Sequence, residues 1–125
     1  MKREIKFRAF LNSKYYYKPC MLSWEELLSQ YDAIDMFQRG LMTLMQYTGL
    51  KDKNGREIYE GDIVRTGKDN IGDPEPMIGQ VIMREGSWLI ENEKNQETID
   101  LFSEITSREV IGNIFEDKQL LEGKQ

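Results

Sequence analysis

Apolar and polar positions alternate from the first residues. Over residues 3–11, Ile5, Phe7, Ala9 and Leu11 fall on one face of an extended chain and Glu4, Lys6 and Arg8 on the other, the period of two that marks a half-buried strand. Phe10 alone breaks the pattern. Asn12, Ser13 and Lys14 read as a turn, and Tyr15, Tyr16 and Tyr17 predict a second extended segment that stops before Pro19, so the chain is expected to open with a hairpin. The period then changes. Ser23 and Glu26 have the spacing of a capping box, and Trp24, Leu27, Leu28 and Tyr31 can share one face of a short helix. Over residues 32–40, Ile34, Met36 and Phe37 fit neither a period of two nor a long helical stripe, and Gly40 is expected to end the segment.

Strand patterning resumes over residues 41–48 and leads into Asn54-Gly55, a pair suited to the two positive-φ positions of a type I′ turn, with a return strand beginning near Glu57. Glu60-Gly61-Asp62 predicts a bend before Ile63 and Val64. Residues 67–76, GKDNIGDPEP, read as an exposed loop between two strands. Residues 81–91 form a further predicted hairpin with Glu85-Gly86 at its tip and Trp88 and Ile90 on one face. Residues 98–101 and 109–115 are strand candidates, and Leu120 and Leu121 open a last helical turn that frays into a polar tail. Several short strands and few helices predict a mainly β fold with a minor α component, a small barrel or curled sheet with the helical piece inserted after the opening strands.

Three blocks of sequence carry a resemblance. LMQYTGLKDKNGREIYEGDIV at residues 44–64 resembles the YopX family, proteins encoded by bacteriophages and prophages of Gram-positive bacteria; MKREIKFRAF is similar to that family's opening strand and EVIGNIFEDKQLL to its closing motif. The resemblance implies one domain over residues 1–125. It implies an N-terminal hairpin and helical segment over 1–43, a small SH3-like barrel over 44–116 and a C-terminal tail over 117–125. It implies no reaction, no catalytic residue and no cofactor.

Composition narrows the function classes. With 125 residues and one cysteine, Cys20, the chain is sized for a single core that needs no disulfide. No charged start followed by an apolar run and a cleavage site opens the sequence, and no apolar run is long enough to span a bilayer. A soluble protein of the bacterial host cytoplasm is the expectation. The absence of histidine excludes Ser-His-Asp and Cys-His catalysis and zinc sites built on histidine, and one cysteine excludes CxxC clusters. Cys20 reads as a small packed residue. Asp52, Asn54 and Gly55 lack the glycine and glutamate spacing of a calcium loop, and no glycine run has phosphate-loop spacing.

The net charge of −5 is unevenly placed: residues 1–20 carry +5 and the other 105 carry −10. The basic end, with Lys6, Arg8, Tyr15, Tyr16 and Tyr17, is the candidate surface for nucleic acid, by phosphate contact and base stacking, although core packing with solvated lysines accounts for the same residues. Asp69, Asp73 and Glu75, with Glu60 or Asp62, are candidate magnesium ligands for a nuclease, set against the chance proximity expected among 22 acidic residues. The leading expectation is a phage accessory protein without enzymatic activity that binds an unidentified phage or host protein. Nucleic-acid binding is the alternative and a carboxylate-metal nuclease the third reading. No cofactor, metal or catalytic residue is assigned. The working surface is expected outside residues 46–65, at the basic hairpin or the acidic loop 67–76.

Overall fold

The computed structural model describes residues 5–12, 20–67, 76–94, 96–102 and 107–122. The described chain is mainly β, with curled antiparallel sheets and two short helices. It divides into two compact units, Met1–Tyr47 and Thr48–Gln125.

In the first unit, β1 (Phe7–Leu11) lies between β2 (Cys20–Leu22) and the first half of β3 (Met42–Lys51), antiparallel to both, with Leu11 opposite Cys20 on one side and Met42 on the other. The partner of β1 therefore follows Pro19. The expected strand at Tyr15, Tyr16 and Tyr17 lies outside the described residues. Proline has no N–H for the ladder, so pairing that begins at Cys20 keeps every donor of the three-residue strand available. Ala9 and Leu11 are buried as the alternation requires, Phe10 is buried too, and Ile5, ahead of β1, is exposed.

Ser23 caps α1 (Trp24–Leu28) as its spacing predicts. Glu26 N–H donates to Ser23 Oγ at 3.2 Å and Ser23 N–H donates to Glu26 Oε1 at 2.9 Å. The helix has only five residues, so Tyr31 falls beyond it. The ambiguous segment is helical: α2 (Ala33–Gln38) ends where Gly40 N–H donates to Phe37 O and Leu41 N–H to Met36 O, a Schellman closure that needs the left-handed Gly40 at φ +73°. Leu27 and Met36 drop from the two helices onto Ala9, Leu11 and Met42 to form this unit's core, with Cys20 half-buried against it.

The second unit contains β4 (Glu57–Tyr59), β5 (Asp62–Thr66), β6 (Ile78–Arg84), β7 (Ser87–Asn92), β8 (Glu97–Asp100) and β9 (Arg108–Asn113), then a 3₁₀ turn at Lys118–Glu122. Five of the strands make an antiparallel sheet in the order β8-β7-β6-β5-β9. Ile58, Val64, Val81, Trp88, Ile90, Leu101 and Val110 fill its core. Each fully buried aliphatic side chain there contributes about 1.5–3 kcal/mol.

Two turns exchange the chemistry expected of them. Asn54 keeps a negative φ and only Gly55 is left-handed, at +84°; Gly55 N–H donates to Asp52 O and Asp52 N–H to Arg56 O. That is a three-residue loop with a glycine bulge instead of a two-residue type I′ turn. The type I′ signs occur at the β6–β7 tip, where Glu85 (φ +51°) and Gly86 (φ +83°) join paired Arg84 and Ser87. A glutamate held left-handed costs about 1–2 kcal/mol relative to right-handed backbone, a strain that asparagine tolerates better. Glu85→Asn is therefore expected to stabilise the protein by about 0.5 kcal/mol or more. A thermal melt that fails to rise would contradict this reading of the turn.

Candidate functional site

The described residues of the first unit enclose an apolar groove. Its floor comes from the sheet, Phe7 on β1 with Met42 and Leu44 on β3; α1 supplies Trp24 and Leu27, and α2 supplies Ala33, Ile34 and Phe37. The hollow measures about 200 Å³ and every residue lining it is apolar. Trp24 and Phe7 meet with ring centroids 6.2 Å apart and planes tilted by 52°, a favourable aromatic geometry that fixes one wall. The opposite lip is exposed. Ile34 is 77% and Phe37 49% accessible, and Tyr31, in the link between the helices, is 99% accessible. The cause lies in α2 itself: Met36 points into the core, and residues two and one positions before and after it cannot share its direction on a helix. The apolar spacing that defeated a single-face reading therefore reflects two apolar surfaces on one short helix.

This helical segment is also acidic. Residues 23–38 contain Glu25, Glu26, Asp32 and Asp35 and no lysine or arginine. Asp35 pairs with the next basic residue, Arg39, at 3.1 Å, both side chains being exposed. Glu26 is engaged in the capping box.

Of the residues expected to hold nucleic acid, Lys6 has its Nζ 5.0 Å from the Tyr47 ring centroid, a cation–π contact worth about 0.5–1 kcal/mol at an exposed site. Its carbonyl accepts from Tyr47 N–H at 2.9 Å. Arg8 is half-buried opposite Met45 on β3. Tyr15, Tyr16 and Tyr17 lie outside the described residues. So do Asp69, Asp73 and Glu75 of the candidate metal set. Asp62 is 1% accessible and accepts from Tyr59 N–H at 2.7 Å, and no group of three potential ligands occurs among the described residues.

The acidic residues of the second unit hold the scaffold. Asp52 Oδ1 accepts from the backbone N–H of Asn54 (2.9 Å) and Arg56 (2.8 Å), and Oδ2 accepts from Val110 N–H at 2.9 Å. Burial pushes its pKa up, but the three amides, with the charge of Arg56, outweigh burial and hold it below the usual carboxylate value. Asn113 Oδ1 accepts from Phe115 and Glu116 N–H, and Asp117 Oδ2 from Asn113 N–H. Glu109 is lowered by its hydrogen bond from Arg65, and Arg84 is raised by its bond to Glu91. The second unit also has a hollow of about 400 Å³, of mixed character, with Glu91, Glu93 and Lys118 among its walls beside Ile114 and Phe115.

The YopX protein family model matches residues 6–122. The chain belongs to the YopX family. No curated protein matches it. Among solved structures it is similar to protein EF1440 from Enterococcus faecalis, with 20% sequence identity, a TM-score of 0.48, and coverage of 96% of this chain and 99% of that one. In this YopX protein the polar residues of the family-like blocks at 44–64 and 109–121 bind backbone: Asp52, Asp62, Asn113 and Asp117 each accept from main-chain N–H groups. The groove instead lies mostly in residues 24–44, the stretch least like the family, so the resemblance could not point to it. The signal in the sequence was the misfit of Ile34, Met36 and Phe37 to any single face.

Proposed function

We propose that this YopX protein is a phage-encoded accessory module that binds a phage or host protein, without enzymatic activity, through the apolar groove of its first unit. The observation that carries the reading is the exposed lip: Ile34 and Phe37 stand open to water beside a hollow lined only by apolar side chains. Exposed apolar surface costs about 25 cal/mol per Å², and monomers seldom keep contiguous apolar patches that serve no contact. The composition supports the reading through its lack of histidine and its single cysteine. The sheet edges of the second unit are a poorer docking place. β8 is only four residues long and carries Glu97 and Asp100, and β9 is capped along its outer side, where Lys53 N–H donates to Arg108 O and Val110 N–H to Asp52.

The test compares tagged wild type with Phe37→Ser and Ile34→Ser in infected or lysogenic cells after brief cross-linking. Both side chains are exposed, so the variants are expected to melt within a few degrees of wild type. The expected result is a partner enriched by wild type and reduced about tenfold or more by each variant. Recovery of nothing above background, or equal recovery by all three proteins, would overturn the proposal.

A further inference from the structure

From the groove's size and its surroundings we infer the chemistry of its occupant: a protein segment that inserts one large apolar side chain, phenylalanine-sized, and carries lysine or arginine on both flanks. The inference rests on the protein-binding reading above and adds to it the class of partner. Size decides the anchor. An apolar cavity of roughly 150 Å³ accommodates a benzene ring, so about 200 Å³ takes one ring or one leucine-sized side chain and not two. The wall formed by Phe7 and Trp24 presents aromatic surface against which a ring can stack or meet edge to face.

Charge decides the flanks. The two helices that supply most of the groove lie within residues 23–38, whose four carboxylates have no basic residue among them. Arg39 offsets part of this by pairing with Asp35, leaving Glu25 and Asp32 at the start of their helices without a basic partner within that segment. Asp32 accepts only from the neutral amide of Gln30 among its printed side-chain bonds, at 3.3 Å. Carboxylates so close in sequence sit within a Debye length of about 8–10 Å of groove-bound chain, near enough to attract a cationic flank and repel an anionic one. The segment is short because the groove is short: two helices of five and six residues offer contact for only a turn or two of a bound chain.

The experiment titrates the full-length chain into fluorescein-labelled Lys-Lys-Ala-Ala-Phe-Ala-Ala-Lys-Lys, read by anisotropy at 50 mM and 300 mM salt. Two matched peptides have phenylalanine replaced by alanine, or all four lysines by glutamate. Expected are saturable binding of the first peptide, weaker binding at high salt, and losses of about tenfold or more for each replacement. Glu25→Gln with Asp32→Asn in the protein should narrow the lysine-over-glutamate preference while leaving the phenylalanine-over-alanine preference in place. Phe37→Ser should reduce the latter. Equal binding of the lysine and glutamate peptides would overturn the charge assignment, equal binding of the phenylalanine and alanine peptides the anchor, and no saturable binding of any peptide both. If those failures occur while the cellular contrast between wild type and Phe37→Ser persists, the groove still binds protein and only this assignment falls. Loss of the cellular contrast as well removes the underlying reading.

Discussion

Asp52→Ala is expected to lower unfolding stability by about 3 kcal/mol, because three buried or half-buried amides lose a charged acceptor at once. The carboxylate joins pieces far apart in sequence, closing its own turn through Asn54 and Arg56 and gripping β9 through Val110, 58 residues away. Asp52→Asn separates these roles. Its one amide oxygen can still accept from the turn, but its NH₂ group would then face Val110 N–H, donor against donor, so most of the loss should remain. The pH dependence follows from the lowered pKa. The stabilisation is fully present above the unfolded-state value near 3.8 and is lost as pH falls through the lower folded-state value. Wild type should therefore lose this contribution only below about pH 4, with the Asp52→Asn deficit shrinking over the same range. Urea unfolding at pH 7 and pH 3 measures both. A deficit at pH 3 as large as at pH 7 would mean the charge is not the cause.

Gly79→Ala is expected to cost a similar amount for an unrelated reason. A Cβ placed on Gly79 would lie 2.8 Å from the carbonyl oxygen of Glu91, 2.9 Å from its carbon and 2.9 Å from Ile90 Cγ2. Two of those three atoms are backbone, and they belong to β7, which is held against β6 from Gln80 opposite Glu91 to Arg84 opposite Ser87. Nothing there can swing aside as a surface side chain would. Relief requires the strands to separate locally, which for an overpacked interior typically costs about 1–3 kcal/mol. The urea midpoint should fall by about 1 M with little change in slope. An unchanged midpoint would show that the strand pair gives way more easily than its pairing implies.

Both residues show what a sequence reveals and what it conceals. The spacing of Ser23 and Glu26 encodes a cap because both partners are local, and the alternation through β1, β6 and β7 is visible for the same reason. Asp52 looked like part of a turn, and it is. Its bond to Val110 depends on β9 arriving from elsewhere, which no local pattern records. Asn54-Gly55 has the composition of a two-residue turn, yet the carboxylate of Asp52 favours the longer loop by bonding two of its amides. At Glu85 the tight pairing of Arg84 with Ser87 outweighs the residue's own preference. The groove was the least legible feature. Ile34 and Phe37 would be assigned to a core in any reading that assumes apolar residues point inward, and only the folded position of Met36 shows which of the three does so.

The placement of the chain's two tryptophans gives it a built-in optical readout. Trp24 lines the groove of the first unit, whereas Trp88 is 8% accessible in the core of the second. Indole emission responds to its surroundings, so the two rings report separately: Trp24 on whatever enters the groove, Trp88 on the packing of the five-stranded sheet. A blue-shifted contribution that persists while the red-edge contribution moves would distinguish occupancy of one unit from melting of the other, with no label attached.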